Sequence, residues 1–221
     1  MSSEQLNYYQ LGESIHRRFQ AQPTAAAALE LLYQKGLAAG HVIAVASGYR
    51  SYQQQLKIWQ EKVEGRRPVL DNDENPLAIK DLSSTELLFA ILRWSAIPGF
   101  SRHHWGSDFD IYDYSTLPTE DYQVQLTVAE SDDQGIFGRL HLWLDQIITQ
   151  DCSQDFFRPF ANDRGGVAPE RWHISHAATA RSFEQALTFE QFKLEISQSS
   201  LPLKPELLKN LSEIFERFIL P

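Results

Sequence analysis

The order of apolar and polar positions along the chain predicts helices at both ends. Apolar residues recur at helical spacing over about 4–20 and 24–38, and again over about 180–197 and 204–218. This spacing puts the apolar side chains on one face of a helix, where a core can cover them. The pattern therefore predicts two helices before the middle of the chain and two amphipathic helices after it.

Three more helices are predicted in the middle of the chain. Ser51 precedes the helical pattern of YQQQLKIWQEKV, and Ser83 precedes STELLFAILRW at 84–94. A serine at this position accepts a hydrogen bond from a backbone N–H of the first helical turn, so both serines mark helix starts. The third helix is predicted over 135–150. Two polar stretches read as loops, 65–82 and 115–134.

Short strands are predicted between these helices. HVIAVAS at 41–47 is a β-branched, apolar run, and SDFDIYDY at 107–114 alternates with a period of two, as a half-buried strand does. FFRPF at 156–160 and RWHISH at 171–176 are further strand candidates. The sequence contains no internal repeat and no low-complexity linker, so we predict one α+β domain over residues 1–221.

Composition and charge exclude several classes of protein. The chain has 20 Lys and Arg against 29 Asp and Glu, a net charge of −9. A nucleic-acid partner is therefore not expected, because phosphate neutralisation needs a basic face. Cys152 is the only cysteine, which excludes an intramolecular disulfide and a cysteine-based zinc site, whereas seven histidines are available as ligands.

The sequence also bears on membranes and location. The longest apolar stretches are shorter than the roughly 20 residues that span a bilayer, so no transmembrane segment is expected. The first residues lack a basic segment followed by an apolar one. We therefore expect a cytoplasmic protein as the chain stands, and a periplasmic or cell-wall protein if a leader has been removed. The sequence leaves the oligomeric state open.

Histidine and carboxylate side chains concentrate in two segments. They are His103, His104, Asp108 and Asp110 in the first segment, and Glu170, His173 and His176 in the second. A catalytic zinc ion needs about three His or carboxylate ligands and an open position for water. The helix-borne motif HExxH is absent. Taken alone, each cluster is equally explained by a polar loop or by ordinary strand residues.

The positions of three residues relative to the predicted strands favour a functional site. Asp108 and Asp110 are two residues apart on the predicted strand 107–114, so both side chains project from one face. Arg50 follows the predicted strand 41–47, where its guanidinium could bind a substrate carboxylate or stabilise an oxyanion. A surface arginine near a helix start is the alternative for Arg50.

Three ordered segments resemble the motifs of a known family. They are SGYRS at 47–51, SRHHWGSDFD at 101–110 and ERWH at 170–173. They are similar to S-G-Y-R-S, S-x-H-x-x-G-x-A-x-D and E-x-W-H of the zinc D-alanyl-D-alanine carboxypeptidases and dipeptidases of cell-wall metabolism and vancomycin resistance. Hedgehog zinc domains share this family's fold. The resemblance covers about residues 40–178.

The resemblance implies a fold and a set of site residues. The fold is α+β, with a small central antiparallel sheet that carries the zinc site, flanking helices, and extra helices at both ends. One Zn²⁺ ion would be held by His103, Asp110 and His173. Glu170 matches the general base, and Arg50 matches the group that holds the scissile carbonyl oxygen as it gains charge. Five more residues are expected at the substrate: Tyr49, Gln55, Ser101, Trp172 and His176.

Two positions depart from the family pattern. Asp108 stands where the pattern usually has alanine, and His176 stands where many members carry an aromatic residue. Asp108 could orient a metal ligand through a hydrogen bond, or it could face water. His176 could enlarge or polarise a substrate pocket.

The implied function is that of a zinc metallopeptidase. Its substrate would be a peptidoglycan-derived peptide, cleaved near the C-terminus by metal-activated water. Two alternatives stay open: a peptidoglycan endopeptidase of the same fold, and a non-catalytic zinc module that binds a peptide as hedgehog domains do. Glu170 and Arg50 favour an enzyme, because a binding module needs no base beside its metal.

Overall fold

The computed structural model describes residues 6–12 and 18–220. Its strands are β1 (Asn7–Tyr9), β2 (Phe19–Ala21), β3 (Ile43–Ser47), β4 (Asp108–Asp113), β5 (Phe156–Phe157) and β6 (His173–His176). Its α-helices are α1 (Pro23–Ala38), α2 (Tyr52–Val63), α3 (Ser84–Trp94), α4 (Val128–Ser131), α5 (Gly138–Thr149), α6 (Ala177–Ala186), α7 (Phe189–Gln198), α8 (Lys204–Lys209) and α9 (Leu211–Ile214). Short 3₁₀ helices cover Ile79–Asp81, Arg102–Trp105 and Tyr114–Thr116, and a π-helical segment covers Phe215–Ile219.

The central sheet has four strands in the order β3-β4-β6-β5, and every neighbouring pair is antiparallel. In the register of β4 and β6, Asp108 pairs with Ser175 and Asp110 pairs with His173. A register shift between Val45 and Ser47 interrupts the pairing of β3 with β4. The predicted α+β fold with a small antiparallel sheet and flanking helices is confirmed, including helices near both ends of the chain.

The chain divides into two compact units. The first contains Met1–Arg50, Trp105–Ala161 and Glu170–Ser182, and the second contains Ser51–His104, Asn162–Pro169 and Phe183–Pro221. Both sheets belong to the first unit, whereas α2, α3 and α7 to α9 belong to the second. That residues 1–221 act as one domain stays a prediction.

The core of the first unit lies on the apolar face of the central sheet. Phe109 and Ile111 of β4 and Ile174 of β6 are fully buried, together with Leu29 of α1 and Leu144 of α5. Because side chains alternate along a strand, these residues leave the opposite face of β4 and β6 to Asp108, Asp110, His173 and Ser175. The apolar core thereby fixes which polar side chains share a face.

The second unit has its own core, centred on α2 and α3. Trp59 is fully buried, and its Nε1 donates to the carbonyl of Pro202 at 3.1 Å. Ser51 and Ser83 begin their helices as predicted, because each hydroxyl accepts from the backbone N–H three residues on. The two serines were therefore sufficient to predict where these helices begin.

The predicted helix over about 4–20 is wrong in the part that the structure describes. Asn7–Tyr9 and Phe19–Ala21 form an antiparallel pair instead. The ring of Phe19 packs edge-on against Phe109, at a centroid distance of 5.6 Å. This tertiary contact, which local periodicity does not encode, favours a strand at Phe19. Residues 4–5 and 13–17 of the predicted helix lie outside the described residues.

The C-terminal helices are shorter than predicted. The helix expected over about 180–197 is two helices, α6 and α7, because the hydroxyl of Thr188 accepts from the N–H of Gln191 and starts a new helix. The one expected over 204–218 is divided into α8, α9 and the π-helical segment. In the ranges 6–12 and 18–220, we find no helix long and apolar enough to cross a membrane.

Candidate metal centre

The polar face of β4 and β6 brings the conspicuous side chains of two sequence motifs together. Asp108 and Asp110 of β4 lie opposite Ser175 and His173 of β6. The strand was predicted to be half-buried, but Asp108 and Asp110 are both buried, as is Phe109 between them. A buried carboxylate is stable only when hydrogen-bond donors or cations surround it, so we expect such groups on this face of the sheet.

Three potential metal ligands converge here. One ligand atom each of His103, Asp110 and His173 lies within 4.8 Å of the other two, and all three residues are buried. His103 belongs to the 3₁₀ helix Arg102–Trp105. Two imidazole nitrogens and one carboxylate oxygen are a donor set that zinc takes in catalytic sites, where a fourth position stays open for water. The donor set therefore fits the predicted ion.

The two ring nitrogens of His173 face different carboxylates. Nε2 lies 3.0 Å from Oδ1 of Asp108, whereas Nδ1 lies 3.1 Å from Oδ1 of Asp110 and 3.6 Å from Oε2 of Glu170. Burial lowers the pKa of His173, but hydrogen bonds and charges from Asp108 and Asp110 outweigh it and raise that pKa to about 9. The site thus concentrates negative charge around one imidazole, as a cation site does.

The turn before β6 places Glu170 beside His173. The N–H of Glu170 donates to the carbonyl of Phe160 at 3.0 Å, and the N–H of His173 donates to the carbonyl of Glu170 at 3.1 Å. The carboxylate of Glu170 remains partly exposed, with 14% of the side chain accessible. A carboxylate that is both near the ligand cluster and open to water can accept a proton from a water molecule there.

Arg50 reaches the same cluster from the end of β3. Its Nη2 donates to Oγ of Ser47 at 3.1 Å and lies 3.9 Å from Oδ2 of Asp110. The register shift of β3 between Val45 and Ser47 immediately precedes this segment. The structure therefore brings a guanidinium and the Glu170 carboxylate to the same three-residue cluster.

The residues predicted at the substrate have varied surroundings. Ser101 and Gln55 are buried, and Nε2 of Gln55 donates to the carbonyl of Ala96 at 2.7 Å. Tyr49 is half-buried, and Trp172 is buried. These side chains stay candidates for substrate contacts, with Gln55 already engaged in one hydrogen bond within its own unit.

His176 is not brought to the polar face. It follows Ser175 on β6, and its ring packs against Phe156 at a centroid distance of 5.3 Å. Its Nδ1 lies 2.8 Å from Oγ1 of Thr179, and burial lowers its pKa. Because strand side chains alternate, His176 projects away from His173, and its role at a substrate stays a prediction.

The three motifs give no sign of a network around Arg171, the second residue of ERWH. Its guanidinium donates to Oδ2 of Asp145 at 2.6 Å, to Oδ1 of Asp133 at 2.7 Å and to the carbonyl of Ser131 at 3.0 Å. Asp145 also accepts from Nε of Arg158 at 2.8 Å. This network holds the segment between Glu170 and His173 to α5. No sequence signal pairs residues so far apart.

A family match covers most of the chain. The VanY family, described as D-alanyl-D-alanine carboxypeptidase, matches residues 18–179. An uncharacterized protein of Haemophilus influenzae is 30% identical over 125 residues, which are 56% of this chain and 92% of that protein. A second uncharacterized protein of the same organism is 34% identical over 76 residues, 34% of this chain and 52% of that protein.

Two solved structures share the fold. VanYB in complex with D-alanine-D-alanine has a TM-score of 0.53 at 22% identity, over 87% of this chain and 90% of that chain. A variant of the vancomycin-resistance D,D-pentapeptidase VanY in complex with Zn(II) has a TM-score of 0.54 at 21% identity, over 94% of this chain and 92% of that chain.

Proposed function

The chain belongs to the D-alanyl-D-alanine carboxypeptidase family, and from this premise we propose that it is a zinc-dependent peptidase. Its substrate is a peptidoglycan stem peptide, cleaved near the C-terminus. The observation that carries the proposal is the convergence of His103, Asp110 and His173 within 4.8 Å, with the carboxylate of Glu170 3.6 Å from His173 Nδ1. Zinc complexation by a VanY relative supports the choice of metal.

His103, Asp110 and His173 would hold one Zn²⁺ ion. When bound, zinc polarises a carbonyl and lowers the pKa of a bound water to about 7. Glu170 accepts the proton of the attacking water and passes it to the leaving amine, so that the amine departs neutral. Arg50 donates hydrogen bonds to the carbonyl oxygen as that oxygen becomes negative.

Two features favour an enzyme over a zinc module that only binds peptides. Glu170 is partly exposed beside the ligand cluster, and Arg50 stands 3.9 Å from Asp110. A binding module requires neither a base nor an oxyanion donor at its metal. The D-Ala-D-Ala complex of a VanY relative supports a free C-terminal D-alanine as the group that this chain recognises.

A defined substrate panel tests the proposal. The zinc-loaded protein is incubated with tri-, tetra- and pentapeptide muropeptides and with a cross-linked dimer, and the products are identified by mass. We expect loss of one C-terminal D-alanine from the pentapeptide. Cleavage of the dimer alone would favour the endopeptidase alternative. Zinc binding without cleavage of any member would favour the binding module.

Metal removal provides the second arm of that test. Chelation of zinc is expected to abolish hydrolysis, and readdition of Zn²⁺ is expected to restore it. His173→Ala should neither retain zinc nor recover activity, because one of three ligands is missing. His104→Ala is the matched control, since His104 Nε2 accepts instead from the N–H of Gly99 at 3.0 Å. Equal activity with and without chelator would contradict a zinc mechanism.

A further inference from the structure

Asp108 is a fully buried carboxylate two residues before the proposed ligand Asp110. We propose that Asp108 is a positioning residue, which fixes the ring orientation and the tautomer of His173 so that Nδ1 faces the metal. The inference rests on the proposed function, because it assumes that His173 is a zinc ligand. It goes beyond the matched motif, which has alanine where this chain has Asp108.

The geometry around His173 decides which ring nitrogen is available to a metal. Nε2 lies 3.0 Å from Oδ1 of Asp108, and Nδ1 lies 3.1 Å from Oδ1 of Asp110. The two nitrogens of an imidazole point in different directions, so the one that donates to Asp108 cannot also face the cluster. An ionised carboxylate only accepts hydrogen bonds, so it keeps the proton on Nε2, and the neutral ring then carries its lone pair on Nδ1.

The carboxylate of Asp108 is itself held by its neighbours. Oδ2 accepts hydrogen bonds from the hydroxyls of Ser107 and Ser175, the latter at 3.1 Å. Ser175 is also the register partner of Asp108 in the sheet. Two donors on Oδ2 leave Oδ1 directed at His173. A metal ligand that is fixed in this way by an outer carboxylate loses less conformational freedom when it binds the ion.

Asp108 is not a competing ligand for the same ion. It faces Nε2 of His173, whereas the cluster with Asp110 forms on the Nδ1 side. If Nδ1 held the ion, Asp108 would keep its contact with Nε2. Its role toward the metal is indirect, through His173.

The same strand provides a matched control. At the other end of β4, Oδ2 of Asp113 lies 2.8 Å from Nδ1 of His41, and both residues are buried. Replacing Asp113 removes a comparable buried carboxylate–imidazole contact from the same strand but leaves the proposed ligands intact. Loss of stability in general is thereby separated from loss of metal positioning.

The experiment measures the affinity for Zn²⁺ itself, by competition with a chromophoric chelator at fixed pH. Asp108→Ala is expected to weaken zinc binding on the order of 10- to 100-fold, the usual effect of removing an outer-sphere partner. Asp108→Asn should weaken it less, because the amide oxygen still accepts from Nε2. Asp113→Ala should bind zinc as tightly as the wild type, although it melts at a lower temperature.

Each outcome bears on the inference. Unchanged zinc affinity in Asp108→Ala would overturn it, and so would equal losses in Asp108→Ala and Asp113→Ala. If Asp108→Ala does not fold, as judged by circular dichroism, Asp108→Leu, which also lacks an acceptor for Nε2 but fills more of the space, takes its place, and wild-type affinity in that variant overturns the inference. A wild-type protein that binds no zinc would instead contradict the proposed function, which keeps the two failures distinguishable.

Discussion

Asp110 of β4 and His173 of β6 are register partners, and Oδ1 of the first lies 3.1 Å from Nδ1 of the second. Partners in an antiparallel pair project from the same face of the sheet at close range. The sheet thus joins a motif from the middle of the chain to one from its later part.

The first prediction concerns the base. Glu170→Gln should keep wild-type zinc content and lose roughly 100- to 10,000-fold in kcat, because an amide cannot accept the water proton. Zinc is measured by metal analysis, and kcat by release of D-alanine from a pentapeptide. Substitution of an exposed carboxylate outside the three motifs, Glu216→Gln, should leave both quantities unchanged. Wild-type turnover in Glu170→Gln would remove Glu170 from the mechanism.

The second prediction concerns the oxyanion. Arg50→Ala should lower kcat on the order of 100- to 1,000-fold while zinc stays bound, the usual cost of one lost oxyanion donor. A rise in KM without a fall in kcat would instead assign Arg50 to substrate binding alone. Arg139→Ala, on the exposed side of α5, is the matched control and should match the wild type.

The third prediction concerns acid stability. His141 is fully buried on α5, and within the described part of the chain neither ring nitrogen has a hydrogen-bond partner. Burial, with Arg158 and Arg171 nearby, holds its pKa well below 6.5. The unfolded chain therefore binds a proton that the folded chain does not, so stability falls as the pH drops below about 6.5, by up to ~1.4 kcal/mol per pH unit.

His141→Phe tests whether His141 causes this loss of stability at low pH. The variant should show a flatter dependence of the free energy of unfolding on pH between about 6.5 and 5, measured by urea denaturation. Both proteins are measured with zinc bound. Without zinc, the raised pKa of His173 would add a pH dependence of the opposite sign, in which stability is lost as the pH rises toward about 9. An identical pH dependence in the two proteins would show that His141 does not titrate in this way.

The fourth prediction concerns the network around Asp145. Asp145→Asn removes the carboxylate that pairs with both Arg158 and Arg171, and Arg158 has only 6% of its side chain accessible. Loss of the carboxylate partner of a buried guanidinium should lower the free energy of unfolding by about 1–3 kcal/mol. Asp133→Asn, which removes one exposed partner of Arg171, should cost less. Equal losses would show that burial of Arg158 does not matter.

Local sequence signals were reliable where a single residue sets a boundary. Ser51 and Ser83 begin their helices because their own hydroxyls bind the first turn. Local signals failed where packing against a distant segment determines the secondary structure. Phe19 lies in a strand because it packs on Phe109, and the helical periodicity around it was wrong in the described residues.

The sequence by itself determined the family and the residue types of the candidate site, since three ordered motifs contain His103, Asp110, Glu170 and His173. Only the tertiary structure decided how they face one another. The register of β4 with β6 turns Asp108 and Asp110 toward opposite nitrogens of His173, and it turns His176 away. Register depends on pairing between segments far apart in the chain, so a one-residue shift would reverse every face, and no local pattern encodes it.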